Sequence, residues 1–385
     1  MKRIVFTLFA CFTSLASAQW DHELGVELRY FVNEPQFEQQ SSHGASAFYK
    51  PVWSGYYGDS LFDFSAVLRL DQHDEERDLI DISELSWLYA FDDLEIKAGI
   101  SKVFWGVAET QRLVDVINQT DLADDVNGES KLGQPMLSLT KITDIGNFEG
   151  FILPYFRERT FVGENGRLRS QPVVNSDLTQ YESEDENSNL DYALRWSHSL
   201  SVFDVGLSYF QGTARDPVLS LSEDQQFLVP TYVQIDQLSL DVQATYDAWL
   251  LKLEAIDRQA SDDYFMQNYQ AAVAGVEYTF FDLAASGADL GVVYEYSYNS
   301  LGEEFSSDGV SFVGFRVAMN DEQSTDFFIG CTVTGQICTA EGSRRLGESM
   351  KFSLRANSFN NIAEDSPLFS QSQDDFLQLS LSYFF

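Results

Sequence analysis

The sequence predicts an all-β fold, a single-domain transmembrane antiparallel β-barrel of about 18 strands. Three observations lead to this prediction. Segments of about ten residues alternate between apolar and polar side chains, as half-buried strands do. The links between these segments are alternately short turns and long polar loops. No stretch after residue 18 approaches the roughly 20 consecutive apolar residues of a spanning helix, so an exported chain is either soluble or a closed barrel.

The N-terminus predicts export. Two basic residues open the chain, an apolar run covers residues 4–15, and Ala16-Ser17-Ala18 has the small-residue pattern of a cleavage site. These features are typical of a secretory signal peptide, so we assign residues 1–18 to the signal peptide and 19–385 to the barrel. A lipid-bearing Cys11 is the alternative, and it is disfavoured because the apolar run continues past that residue.

The residue types on each face favour a membrane barrel over a soluble sandwich. Ions and small residues occupy the polar face, and aromatic residues lie near strand ends on the apolar face, as on a lipid-facing barrel. A sandwich shows turn signals about every 8 to 12 residues and no long acidic loops. The apolar faces of six strands are Leu24, Val26, Leu28 and Tyr30; Phe62, Phe64, Ala66 and Leu68; Leu94, Ile96, Ala98 and Ile100; Leu238, Leu240, Val242, Ala244 and Tyr246; Leu290, Val292, Tyr294, Tyr296 and Tyr298; and Leu377, Leu379, Leu381, Tyr383 and Phe385.

The connections predict the strand count. Eight short turns and nine longer loops make 17 connections and therefore 18 strands, the even number that a single-chain bacterial barrel requires. Sixteen strands is the alternative, because residues 139–149 and 326–345 alternate weakly. The turns are expected at 57–59, 91–93, 144–147, 200–202, 247–248, 282–288, 320–324 and 346–348, and the loops at 33–44, 71–78, 105–134, 157–189, 212–230, 259–268, 300–308, 334–338 and 360–373.

The charge balance excludes some partners. The chain carries 60 Asp and Glu against 24 Lys and Arg, a formal net charge of −36, so nucleic acid is not an expected partner. Acidic clusters at 71–78, 121–129 and 182–186 fall in predicted external loops. We expect these loops to be solvated; loosely bound divalent ions that bridge them to lipopolysaccharide are the alternative.

Two segments of the sequence resemble segments of bacterial outer-membrane proteins. The final segment, Leu381-Ser382-Tyr383-Phe384-Phe385, resembles the assembly signal of bacterial outer-membrane proteins, which implies that the barrel assembly machinery binds the strand ending at Phe385. Residues 102–106 (KVFWG) and 116–122 (VINQTDL) together resemble the W-G…N-x-x-D-L stretch of an uncharacterised porin-like outer-membrane β-barrel family of proteobacteria. This resemblance implies an outer-membrane location and contact with its lipid and lipopolysaccharide, and it implies no particular substrate.

The loop at residues 105–134 mixes apolar side chains with ions and is too apolar for free solvation. A long loop with its own apolar content folds onto another surface, and in a wide barrel the inner wall is available. We expect it to fold into the lumen as a constriction; an external lid is the alternative. The expected constriction residues are Trp105, Glu109, Arg112, Asp115 and Asp121.

Charged residues on the polar strand faces are expected to line a pore. A mixture of both signs gives a transverse field, and the surplus of acid predicts a preference for cations. The alternative is that these charges pair with one another and keep the lumen hydrated without selecting solutes. The predicted pore-lining residues are Arg29, Arg69, Glu95, Lys97, Asp241, Glu254, Glu277, Glu295, Arg316 and Arg355.

Cleavage of the signal peptide removes Cys11, and the other two cysteines, Cys331 and Cys338, are expected to form a disulfide because the exported chain is in an oxidising compartment. A metal site at these cysteines is the weaker alternative, because no histidine lies near them in the sequence. Residues 125–128 contain part of a calcium-loop pattern, but Ala123 and Gln134 stand where ligands belong, so no metal site is expected. Catalytic motifs are missing from the sequence. We therefore expect no enzymatic activity and no cofactor.

The expected function is diffusion of small solutes through an outer-membrane channel. The alternatives are a structural or adhesive barrel whose pore is occluded and, with less support, an outer-membrane hydrolase. A homotrimer is possible, although no break in the apolar exterior identifies an interface.

Overall fold

The computed structural model describes residues 18–261, 266–302 and 309–385. Its main element is an 18-stranded sheet in which every neighbouring pair is antiparallel and follows chain order. The first strand pairs with both the second and the last, so the sheet closes into a barrel. The predicted count of 18 strands is confirmed. Three predicted segments lie partly outside the described residues: the signal peptide (residues 1–17), the loop 259–268 (residues 262–265) and the loop 300–308 (residues 303–308).

The strands are numbered in chain order, and four short ones lie outside the barrel sheet. The barrel strands are β1 Ala18–Phe31, β2 His43–Tyr57, β3 Ser60–Asp71, β4 Leu79–Phe91, β5 Leu94–Ser101, β6 Gln134–Thr143, β7 Gly146–Leu153, β10 Asp191–Leu200, β11 Phe203–Thr213, β14 Gln234–Tyr246, β15 Trp249–Ala260, β16 Tyr269–Phe280, β17 Asp289–Asn299, β18 Ser311–Ala318, β19 Asp326–Thr332, β20 Ile337–Leu346, β21 Met350–Phe359 and β22 Phe376–Phe384; the short strands are β8 Val173–Val174, β9 Gln180–Tyr181, β12 Val218–Leu221 and β13 Phe227–Tyr232.

Helical structure is limited to single turns in the described ranges. None of these helices has the length and apolar character needed to cross a membrane. The 3-10 turns are Glu75–Arg77, Ser176–Leu178, Glu186–Ser188, Leu283–Ala285 and Phe369–Gln371.

The outer face of the barrel is apolar. Leu24 and Leu28 of β1 are 50% and 58% exposed, and Leu28 pairs with Leu379 across the seam between β1 and β22. In water such a continuous apolar surface is unfavourable, whereas in hydrocarbon it is the stable arrangement. The exposed belt therefore marks the lipid-facing surface.

A bulge in β4 keeps this belt continuous. Ser65 of β3 pairs with Glu84 and Ala66 pairs with Ile82, so Ser83 is an extra residue without a partner in that ladder. In a regular strand Ile82 and Leu85 would lie on opposite faces, because an odd number of positions separates them. The extra residue reverses the alternation, so both side chains face outward.

The two weakly alternating regions are regular strands in the barrel. β7 pairs over its length with β6 and with β10, and β19 pairs with β18 and β20. Backbone pairing on both sides stabilises these strands although their side-chain pattern is weak, so the sixteen-strand alternative is wrong.

Two long loops have a structure of their own. Strands β8 and β9 belong to the connection 154–190 and β12 and β13 to the connection 214–233, and they form one small sheet. Tyr232, the last residue of β13, is fully buried, and its ring centroid lies 4.7 Å from that of Phe156. These loops, expected to be merely polar connections, thus contain strands and a buried aromatic pair.

Candidate channel and its constriction

The connection between β5 and β6, residues 102–133, lies inside the barrel. Val114 and Ile117 of this loop are fully buried in a cluster with inward-facing wall residues such as Phe151 and Ile256. Trp105 packs edge-on against Phe151 at 5.6 Å between ring centroids. Burial of these apolar side chains against the wall holds the loop there. We call residues 102–133 the lumen loop.

Glu254 of β15 holds the first part of the lumen loop. One of its carboxylate oxygens accepts hydrogen bonds from the backbone N–H groups of Val107 and Ala108 at 2.7 and 2.9 Å, and the other accepts one from Val114 at 3.3 Å. A Cβ on Gly106 would lie 2.6 Å from this carboxylate, and its φ of +115° also favours glycine. The close approach of backbone to carboxylate therefore depends on Gly106.

Glu295 of β17 makes a second clamp. It accepts hydrogen bonds from the N–H groups of Glu109 and Thr110 at 2.8 and 2.9 Å, and from the Thr110 hydroxyl at 2.7 Å. In the described ion pairs neither Glu254 nor Glu295 has a basic partner. Backbone N–H groups therefore compensate both buried carboxylates, and this compensation requires the loop to stay docked.

The Glu109 side chain adds an ionic contact to the same wall. Its carboxylate lies 2.7 Å from the Lys252 ammonium and 3.1 Å from the Arg316 guanidinium. Burial raises the pKa of Glu109, but these two cations outweigh burial and hold it below its ordinary value. Glu109 is therefore a carboxylate at neutral pH, and Arg316 also reaches Glu277 at 3.6 Å.

The far half of the lumen loop is attached to the opposite wall. Arg69 of β3 pairs with Asp121 at 3.1 Å and with Asp124 at 2.7 Å. Arg77 contributes a longer contact to Asp124 at 3.4 Å. Burial raises the pKa of Asp124, yet Arg69 and Arg77 lower it below its ordinary value. Further along, Arg355 of β21 pairs with Asp125 at 3.0 Å, so the loop spans the barrel from β15–β17 to β3 and β21.

A cavity of ≈ 630 Å³ lies between the lumen loop and the wall formed by β18 to β22 and β1. Three aromatic residues, Phe48, Phe327 and Phe328, also line it. Its charged lining comprises six carboxylates and five basic side chains: Glu23, Glu27, Asp124, Asp125, Asp326 and Glu341 against Arg29, Arg77, Arg316, Lys351 and Arg355.

A smaller cavity of ≈ 60 Å³ adjoins the larger one. The two share a layer of side chains, which we call the constriction layer: Glu27, Arg29, Arg77, Asp124, Asp125, Arg355 and Gln378. In this layer Arg77 pairs with Glu27 at 2.7 Å. Arg29 differs, because both of its described hydrogen bonds go to the neutral Gln378 side-chain oxygen, at 2.8 and 2.6 Å.

The predicted pore-lining residues all lie on the inner face, but not all of them meet water. Arg69, Glu254 and Glu295 are 4%, 0% and 1% exposed, because the lumen loop covers them. In this structure these three side chains therefore contact the lumen loop and do not border an open passage. Alternation gives the face of a strand on which a side chain lies, and it carries no information about what covers that face.

Other predicted wall residues are paired. Asp241 makes a two-pronged contact with Arg195 at 2.7 and 2.9 Å, and Lys97 pairs with Glu84 at 2.7 Å. Glu95 is half-buried in the same inward row as Lys97. These contacts correspond to the alternative in which wall charges neutralise one another.

The predicted constriction residues divide into two groups. Trp105 and Asp121 are buried against the wall, as is Asp115, which pairs with Lys131 at 3.2 Å. Arg112 is partly exposed and pairs with Glu129 at 3.1 Å. The buried group therefore holds the loop in place, and the role of these residues in a constriction stays a prediction.

Sequence reasoning missed Lys252, Arg77 and Asp124. Lys252 lies two residues from Glu254 on β15, so alternation places both side chains on the inner face. The sequence pattern could therefore have identified Lys252 as a wall residue. Arg77 and Asp124 lie in connections without periodicity, so no sequence pattern indicated their contact.

Cys331 and Cys338 are bonded in the structure, with an S–S distance of 2.15 Å. They stand directly opposite each other in the β19–β20 ladder, beside its four-residue turn. Over the described ranges, no group of three or more His, Cys, Asp and Glu is arranged to hold a metal ion.

Comparison with known proteins supports the fold. No family model matches the sequence, and no curated protein matches it. Among solved structures, OccAB3 of Acinetobacter baumannii is 10% identical with a TM-score of 0.54, covering 95% of this chain and 99% of that one. A BenF-like porin of Pseudomonas fluorescens is 9% identical with a TM-score of 0.54, covering 96% and 99%. OpdQ of Pseudomonas aeruginosa is 12% identical with a TM-score of 0.52, covering 96% and 98%.

These identities show a shared fold and carry no substrate across. The fold is that of bacterial outer-membrane porins, and the apolar outer belt is the surface that such a barrel turns toward lipid. The predicted porin-like barrel is thus confirmed.

Proposed function

We propose that this protein is an outer-membrane channel through which small hydrophilic solutes diffuse. The observation that carries the proposal is the ≈ 630 Å³ cavity beside the lumen loop, with charged side chains of both signs around it. Eighteen strands enclose a lumen too wide for wall side chains to fill, and the lumen loop narrows it. Arg316, which lines the cavity and contacts Glu277 at 3.6 Å, and the constriction layer determine the size and charge of the passage in this proposal.

Swelling of liposomes that contain the protein tests this function. We expect swelling in small neutral sugars, at rates that fall steeply as the sugars grow larger, because the lumen loop restricts the opening. Liposomes with heat-unfolded protein are the control. Absence of swelling at every size contradicts the channel and supports the alternative of a structural or adhesive barrel with an occluded pore.

We further propose that the channel prefers cations. The cavity lining has one more carboxylate than basic groups, and the whole chain has a large surplus of acid. Fixed charges near a narrow passage repel ions of their own sign. A reversal potential measured in a salt gradient reports the sign directly, and a potential of the anion-selective sign contradicts the preference.

Arg29 is expected to oppose this preference. It is a cation of the constriction layer that takes part in none of the described ion pairs, and its described hydrogen bonds go to Gln378. One charge at roughly 6 Å in water changes the energy of a monovalent ion by about 0.7 kcal/mol, with opposite sign for cations and anions, so Arg29→Gln should raise the cation-to-anion permeability ratio by up to about tenfold. Lys141→Gln is the matched control, because Lys141 pairs with Asp93 at a turn away from the cavities. Equal ratios in both variants would show that Arg29 does not face the ion path.

Assembly is proposed to involve the C-terminal strand. The backbone of Phe385 exchanges two hydrogen bonds with His22, at 3.0 and 3.1 Å, so the last residue completes the seam of the barrel. This supports a role for the strand ending at Phe385 as the element that the barrel assembly machinery recognises. Association into a homotrimer also remains part of the proposal.

A further inference from the structure

The connection between β7 and β10, residues 154–190, crosses part of the barrel mouth. Its residues 162–168, which we call the mouth strap, contact three other connections: 32–42, 72–78 and 360–375. β7 and β1 are six positions apart in the ring of strands. The strap therefore lies across the mouth, far from the strands that carry it.

One end of the mouth strap is fixed by a buried ion pair. Arg167 and Asp374 have side chains only 3% and 1% exposed, and they meet at 2.6 Å. The second oxygen of Asp374 accepts a hydrogen bond from the backbone N–H of Leu168 at 2.6 Å. The Arg167 guanidinium also lies over the Phe31 ring at 4.4 Å from its centroid. A single carboxylate thus holds both the backbone and a side chain of the strap.

The other end rests on Asp74, in the connection after β3. The carboxylate of Asp74 accepts the backbone N–H of Gly163 at 3.1 Å. A Cβ at Gly163 or at Gly166 would collide with that carboxylate, so only glycine permits this approach. Gln40 adds a bond to the carbonyl oxygen of Gly166 at 2.7 Å.

The mouth strap is the roof of the smaller cavity. Val162, Asn165 and Leu168 line it on one side, and the constriction layer closes it on the other. Beyond that layer the larger cavity offers ≈ 630 Å³, whereas under the strap there are ≈ 60 Å³. A solute larger than a few water molecules cannot occupy this side of the path while the strap is docked.

We propose that the mouth strap is a built-in closure: docked through Arg167–Asp374 it shuts the loop-side access over β1, β2 and β22, and undocked it opens that access. The inference rests on the proposed channel function, since a closure matters only where solutes pass. The structure described above is then the closed state of this access.

Labelling of a cysteine under the mouth strap tests the proposal without measuring transport. Val126 lines the smaller cavity, so Val126→Cys is combined with Asp374→Asn in intact cells. The probe is a maleimide on a polymer too large to pass through porins, so it arrives only from outside. We expect at least tenfold faster labelling with Asp374→Asn than with the native strap, because an uncompensated buried Arg167 favours undocking.

Two controls separate this effect from general damage. Asp365→Asn removes a carboxylate from the same connection at an exposed position and should leave labelling of Val126→Cys slow. Glu223→Cys, on an exposed loop, should react equally fast in all backgrounds. Should Asp374→Asn fail to fold, Arg167→Gln breaks the same pair from the strap side.

The outcomes are distinct. Rapid labelling of Val126→Cys with the native strap, or equal slow labelling in the Asp374→Asn or Arg167→Gln background, overturns the closure. Faster labelling together with an absence of liposome swelling by the same Asp374→Asn variant supports a movable strap and contradicts the channel.

Discussion

Replacing Glu254 and Glu295 together by glutamine is expected to free the first half of the lumen loop and to raise both the single-channel conductance and its noise. The two carboxylates accept five backbone N–H groups of the loop. Hydrogen bonds to a charged group contribute about 1.5 to 3 kcal/mol each, and a glutamine side chain has one acceptor oxygen where the carboxylate has two. We expect the docked loop to lose several such bonds at once.

Glu84→Gln is the matched control for this double substitution. Glu84 is also an inward-facing glutamate, but it pairs with Lys97 on the wall and makes no described contact with the lumen loop. The single-channel conductance of the Glu84→Gln variant should stay close to that of the native protein. If the double variant conducts like Glu84→Gln, the apolar contacts and ion pairs of the lumen loop hold it without the two clamps, and the clamps have no role in setting the opening.

Both the barrel and its strand count could be predicted because alternation and turn length are local properties. Each strand has its own alternation of apolar and polar side chains. In β4 the Ser83 bulge shifts this alternation by one residue, and the alternation continues on both sides of the bulge. Closure between β1 and β22 follows from an even number of antiparallel strands. Nothing in this reasoning needs contacts between distant residues.

The lumen loop contacts could not be predicted in the same way. Arg69 and Asp121 are separated by 52 positions, and both lie where charge is common, so no spacing rule selects them as partners. The acidic cluster at 121–129 was expected to be solvated, yet Asp121, Asp124 and Asp125 pair with arginines inside the barrel. The sequence gives the number of charged residues, but only the folded structure shows which carboxylates have a basic partner.

Arg69→Met is expected to cause the largest loss of stability among substitutions at the inner wall. The change leaves Asp121 without its cation and weakens the hold on Asp124, and removal of one partner from a buried pair costs about 3 to 5 kcal/mol. Asp121 keeps only hydrogen bonds such as that from the Thr160 hydroxyl at 2.6 Å. The measurement is the temperature at which the barrel loses its compact electrophoretic form.

The triple variant Arg69→Met, Asp121→Asn, Asp124→Asn shows whether uncompensated charge is the cause. It removes the buried carboxylates together with their cation, so it should recover a large part of the lost thermal stability. Lys97→Met is the comparison, because the Lys97–Glu84 pair is partly exposed and such pairs contribute about 0 to 1 kcal/mol. If the unfolding temperature of the triple variant is no higher than that of Arg69→Met, then the packing of the Arg69 side chain, and not its charge, attaches the lumen loop to β3.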